Sequence, residues 1–351
     1  MTRLPGHGTV TVVPEWSTWR DATERALYGP DGFYRRPEGA AGHFRTSVGT
    51  GTWFAQALVR LADEVDASLG RPDPFTIVDL GAARGELLTT LASIGLDPRW
   101  RLHGVDVVPR PDVLPPGVGW SGTVPAPVTG LIVANEWLDD LPVDVVEHAP
   151  DGLRQVLVDP ATGDETLGAA VPDPDAAWLT EWWPLLSGGV GDRAEVGRPR
   201  DTAWSSAVAA LSRGVAVAID YSHELADRAG GMLPAGTLAG YVGGRLVPPI
   251  PDGSCDVTAH VALDACAAAG ERSGASKSLL VRQREALHAL GVNGQRPTRD
   301  LAERDPASYL RELTRTSEAA ELVQRGGLGD FGWLVQCVGV PLPPSLAALR
   351  D

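Results

Sequence analysis

Lysine is almost absent from this sequence: Lys277 is the single one, and arginine supplies the other 29 of its 30 basic residues. That bias reads as the coding habit of a GC-rich genome and not as an arginine-built site. Cysteine is nearly as scarce. Cys255, Cys266 and Cys337 are odd in number and lack a Cys-x-x-Cys spacing. This argues against a disulfide framework and a zinc knuckle, leaves no metal site to expect, and suits a reducing compartment. No apolar run approaches the roughly 20 residues that cross a bilayer, and Met1 to Trp16 shows no charged-then-apolar export pattern. A cytoplasmic chain without membrane contact is the expectation. Bases are also in deficit, 30 against 45 acids, for a formal charge of −15. Such a surface repels a phosphate backbone, so no nucleic-acid partner is expected without a local basic face.

What is present is a globular composition. The 351 residues are 43% hydrophobic and 21% charged, enough for a sizeable core. The 41 glycines and 29 prolines show no collagen-like period and mark a loop-rich chain. Residues 1–74 read as an N-terminal helical cap, with helices expected over Glu15–Tyr28 and Thr52–Ser68. From Phe75 the pattern changes to short apolar runs separated by helical stretches: Phe75–Leu80, Arg101–Val107, Gly130–Asn135, Val143–His148, Leu153–Val158, Gly214–Asp220, Gly274–Val281 and Phe331–Val338. Residues 159–200 are acidic and rich in proline and glycine around Trp178, Trp182 and Trp183, and read as a helical insertion. The alternation over 75–351 predicts an α/β fold, a Rossmann-like doubly wound sheet whose ligand sits beyond the carboxyl ends of the strands.

Asp79-Leu-Gly-Ala-Ala-Arg-Gly-Glu86 follows the first of these strands. Gly81 and Gly85 bracket a tight turn whose backbone N–H groups face outward at a helix start. The spacing Gly81-x-Ala83-x-Gly85 with Asp79 in front departs from the Gly-x-Gly-x-x-Gly of dinucleotide loops and favours S-adenosylmethionine. Asp106, at the end of the second strand, stands where an acid can accept both ribose hydroxyls. An ordinary strand-to-helix turn is the plain alternative. Asn135 and Glu136 leave the strand Gly130–Asn135 and are expected to project into the crevice. There a carboxylate can orient an N–H-bearing acceptor while an amide holds its other face. The alternative is a turn cap and a solvated acid. Asp220-Tyr221 reads as a further crevice-edge acid.

With these segments in place the chain resembles the S-adenosylmethionine-dependent methyltransferases that include the mitochondrial complex I assembly factor and its bacterial MidA-like relatives. The resemblance runs through Ala26-Leu-Tyr-Gly-Pro-Asp-Gly-Phe-Tyr34, Gly42-His-Phe-Arg-Thr-Ser47, the Asp79–Glu86 loop, Asn135-Glu136 with Asp139 and Pro142, and Asp220-Tyr221. It continues through Gly236-Thr-Leu with Tyr241, Asp256-Val-Thr-Ala-His-Val261, and Gln283 ahead of Leu287. It implies a methyltransferase core with an N-terminal cap, and a methyl acceptor that is an arginine of a partner protein, with a small molecule left open. It also implies that Gly42, Thr46 and Ser47 cover the cofactor and that Asn135 and Glu136 flank the acceptor. Ala83, His43 and Ser222 stand where the family has glycine, aspartate and glycine. These departures motivate the rival reading, a cofactor-binding scaffold or assembly factor with little turnover. A nicotinamide oxidoreductase is disfavoured by the loop spacing, and a homo-oligomer is left open.

Overall fold

The computed structural model describes residues 15–36, 46–294 and 297–350. Its centre is a seven-stranded sheet: β1 (Phe75–Leu80), β2 (Trp100–Val105), β3 (Gly119–Ser121), β4 (Val128–Asn135), β5 (Leu211–Asp220), β6 (Lys277–Arg282) and β7 (Gly332–Val338). The spatial order is β3-β2-β1-β4-β5-β7-β6. Strands β1 to β5 run parallel, and β7 enters antiparallel between β5 and β6. The expected Rossmann-like doubly wound sheet is therefore present. Strands buried on both faces need apolar residues at every position, and β4 and β5 supply them. Leu131, Val133, Val215, Val217 and Ile219 pack on one side with Phe54, Leu58 and Leu61 of the helix Trp53–Ser68. Ile132, Ala134, Ala216 and Ala218 pack on the other with Trp204 and Val208 of the helix Arg198–Ala210.

The first helix begins later than its hydrophobic pattern suggests, spanning Trp19–Tyr28. Thr18 caps it, its hydroxyl accepting from the Asp21 amide at 3.1 Å, and Ser17–Thr18 is a short strand paired with Gly152–Val158. The stretch 159–200, read as a helical insertion, is mixed. It carries the helix Asp173–Trp182 but also the strands Glu165–Ala170 and Arg193–Glu195. With Val145–Ala149, Gly152–Val158 and Ser17–Thr18 these form a second, five-stranded sheet. Glu165–Ala170 is almost wholly exposed, so it carries no apolar alternation by which a strand could be read. Trp178 and Trp183 are buried, and the Trp178 indole donates to Asp201 at 2.7 Å. No described helix is long and apolar enough to cross a membrane, and no metal-ligating cluster occurs among the described residues.

Candidate active site

The carboxyl ends of β1, β2 and β4 open into one cavity of about 800 Å³. β1 ends at Asp79-Leu80, and the chain turns sharply through Gly81 (φ +69°), Ala83 (φ +44°) and Gly85 (φ +73°) into the helix Glu86–Ile94. The turn is bolted to β2: the Gly81 and Ala82 amides donate to the Val105 carbonyl at 3.0 and 3.2 Å. The Ala83 amide donates to Asp106 Oδ2 at 2.8 Å, and the Val108 amide to Asp106 Oδ1 at 3.0 Å. Asp106 thus shapes the bend as well as facing the cavity, with lone pairs on both oxygens left for further donors. Burial pushes its carboxyl up, against the pull of these amides.

Asp79 is 5% exposed, lines the cavity and accepts no hydrogen bond from a described residue. Burial first, then Asp106 and Glu86, push its carboxyl well above the usual range. A buried carboxylate without a donor is costly, and a ligand bringing an ammonium group supplies the missing donor. Ala83 holds a left-handed conformation that costs an L-residue roughly 1–2 kcal/mol. Ala83→Gly should therefore raise stability by about 0.5–1 kcal/mol in urea unfolding, after glycine's larger unfolded-state entropy is offset. A less stable variant would show that the bend is unstrained.

The opposite wall comes from the turn after β4. Glu136, like Ala83, holds a positive φ without being glycine, at +50°. Its amide donates to the Ile219 carbonyl at 2.8 Å, tying the turn to β5. Its Oε1 accepts from the Asn135 side-chain amide at 2.9 Å and from the Ser47 amide at 3.1 Å. Burial and then Asp139 raise the Glu136 carboxyl to about 7, while the Ser47 and Asn135 hydrogen bonds pull it down. Ser47 itself is fully buried, and its hydroxyl accepts a hydrogen bond at 3.1 Å from Gln283 Nε2, while Gln283 Oε1 accepts from the Trp333 indole at 3.1 Å.

The predicted residues separate into two groups. Asp79, Gly81, Ala83, Asp106, Thr46, Asn135 and Glu136 line the cavity together. Gly85 and Ser47 stand behind its wall, Gly85 against Leu114 and Ser47 behind Glu136. Gly42 lies outside the described residues, as does His43. Asp220, expected at the crevice edge, is instead fully buried. Its Oδ2 accepts from the Leu138 and Asp139 amides at 3.0 and 3.3 Å, and its Oδ1 from the Tyr221 amide at 3.0 Å. A carboxylate sealed in the core needs such donors, so Asp220 braces the turn that carries Glu136. Tyr28, Tyr34, Trp137 and Asp140 also line the cavity. Tyr28 and Tyr34 lie in the Ala26–Tyr34 motif, but nothing in its spacing marks them as facing a site.

The "Putative S-adenosyl-L-methionine-dependent methyltransferase" family model matches residues 112–281, from upstream of β3 to β6. A COG1565 superfamily member from Burkholderia thailandensis bound to S-adenosyl-homocysteine is 25% identical over 95% of this chain and 90% of that one, with a TM-score of 0.76. A native crystal structure of a COG1565 superfamily protein from the same organism gives 25% identity, the same coverages and a TM-score of 0.74. No curated protein matches the chain. The resemblance read from the motifs is thereby borne out: this chain is similar to the S-adenosyl-L-methionine-dependent methyltransferases in sequence over residues 112–281 and in fold over most of its length.

Proposed function

We propose that the methyl acceptor is a nitrogen of a protein side chain, an arginine of a partner, and that Glu136 takes up the proton it loses. The observation that carries this reading is a half-buried carboxylate on a strained, positive-φ residue, placed across one cavity from the Asp79–Asp106 bend. When bound, S-adenosylmethionine supplies a sulfonium-activated methyl group to a nucleophile in line with it. Asp79 would meet its ammonium group and Asp106 its ribose hydroxyls. Asn135 and the Ser47 amide both hold Glu136 Oε1, which leaves Oε2 to orient an N–H of the acceptor. A raised carboxyl suits that task, because it is a stronger proton acceptor than an ordinary glutamate once ionised.

We also read residues 1–74 as a cap on the core 75–351, in a cytosolic protein. Calorimetric titration with S-adenosylhomocysteine tests the cofactor half of the reading: binding is expected, and an absence of heat at millimolar ligand would defeat it. A tritiated methyl label from S-adenosylmethionine should then appear on a lysate protein, as methylarginine after hydrolysis. Binding without any labelled product would favour the scaffold reading instead.

A further inference from the structure

We infer that Tyr34 and Asp140, with Tyr28 beside them, form the subsite that holds the acceptor's guanidinium group, and that the buried Asp256 positions the Tyr34 hydroxyl. This rests on the reading of the cavity as a methyl-transfer site and adds which residues select the substrate. The Tyr34 hydroxyl lies 2.5 Å from Asp140 Oδ2 and 3.1 Å from Asp256 Oδ1. A phenol has one proton to donate, so two carboxylates share a single side-chain donor. Neither acid forms an ion pair with a described residue; the nearby Arg200 spends its guanidinium on the carbonyls of Asp139, Leu141, Ala259 and His260.

The shortage of donors extends along the same wall. Asn135 lines the cavity, and its side-chain oxygen is sealed from solvent without a hydrogen-bond partner. A region so rich in acceptors and poor in donors is complementary to a group that only donates. Guanidinium carries five N–H donors in a plane and no acceptor. Tyr28 and Tyr34 stack with centroids 5.6 Å apart and an interplanar angle of 22°, giving the aromatic surface on which a delocalised cation rests.

The test uses the full chain saturated with S-adenosylhomocysteine, titrated with Nα-acetyl-arginine methyl ester and with its neutral isostere, Nα-acetyl-citrulline methyl ester. The arginine probe is expected to bind about tenfold or more tightly than the citrulline probe, the difference made by charge-assisted hydrogen bonds. Asp140→Asn should remove that preference while binding S-adenosylhomocysteine. Asp256→Asn, measured the same way, keeps the test decisive if the first variant misfolds, because it removes the second carboxylate at the same hydroxyl. Equal affinity for the two probes in the parent protein, or a preference that survives both substitutions, overturns the inference. Failure to bind S-adenosylhomocysteine at all would instead strike the methyl-transfer reading on which it stands.

Discussion

Glu136→Gln is expected to slow methyl transfer by about a hundredfold to ten-thousandfold, the usual range for removing a positioned acid–base group, while affinity for S-adenosylhomocysteine changes by less than about threefold. The amide keeps the size of the side chain and an oxygen to accept from Ser47 and Asn135, but it cannot take up a proton. The initial rate of tritiated methyl incorporation measures the first half, and calorimetry the second. In the parent the rate should climb as pH rises through about 7, where the Glu136 carboxyl ionises; the variant should lack that limb. Stability follows the opposite sign. Because folding raises this carboxyl from 4.5 to about 7, its protonated form is favoured in the folded state. The contribution is fully present below pH 4.5 and is lost as pH climbs through 7. Glu136→Gln should accordingly be more stable than the parent above pH 7 in urea unfolding. Unchanged turnover would remove Glu136 from the reaction.

Gly81→Val carries the second large effect, a loss of about 3 kcal/mol or more in stability together with loss of S-adenosylhomocysteine binding. Two costs combine. The left-handed conformation at φ +69° costs roughly 1–2 kcal/mol for an L-residue, and overpacking typically adds about 1–3 kcal/mol. A Cβ at Gly81 would sit 2.6 Å from Trp137 Cδ1 and 3.1 Å from Trp137 Cβ, so the added side chain drives into the turn that carries Glu136. The need for glycine here is thus set by the opposite wall, where a ligand-facing role was the natural expectation. Gly95→Ala is the matched control, since Gly95 has φ +82° at the end of the same helix and nothing within 4 Å of an added Cβ. It should show the conformational cost alone and bind S-adenosylhomocysteine normally. Equal losses in the two variants would mean that Trp137 exerts no constraint.

The tryptophans of the insertion offer the scaffold reading little surface on which to seat a partner. Trp178 and Trp183 are buried, and Trp182 packs partly against them. The exposed strand Glu165–Ala170 nearby has few large apolar side chains to offer. Burial of aromatics inside a loop-rich insertion is what gives that segment a core of its own.

By itself the sequence determined the alternation of strands and helices, the bend between β1 and its helix, and the acids at the ends of β1 and β2. Those signals are local: periodicity, glycine at left-handed positions and acids at strand ends each act within a few residues. Only the tertiary structure decided which side chains meet. Ser47 holds Glu136 from 89 residues away, Tyr34 reaches Asp256 across 222, and Gln283 braces Ser47 across 236. The same packing turned Asp220 inward onto the Leu138 and Asp139 amides. A side-chain hydrogen bond between distant segments leaves no periodic trace, because its partners are chosen by the sheet order and by the demand that buried polar groups find donors.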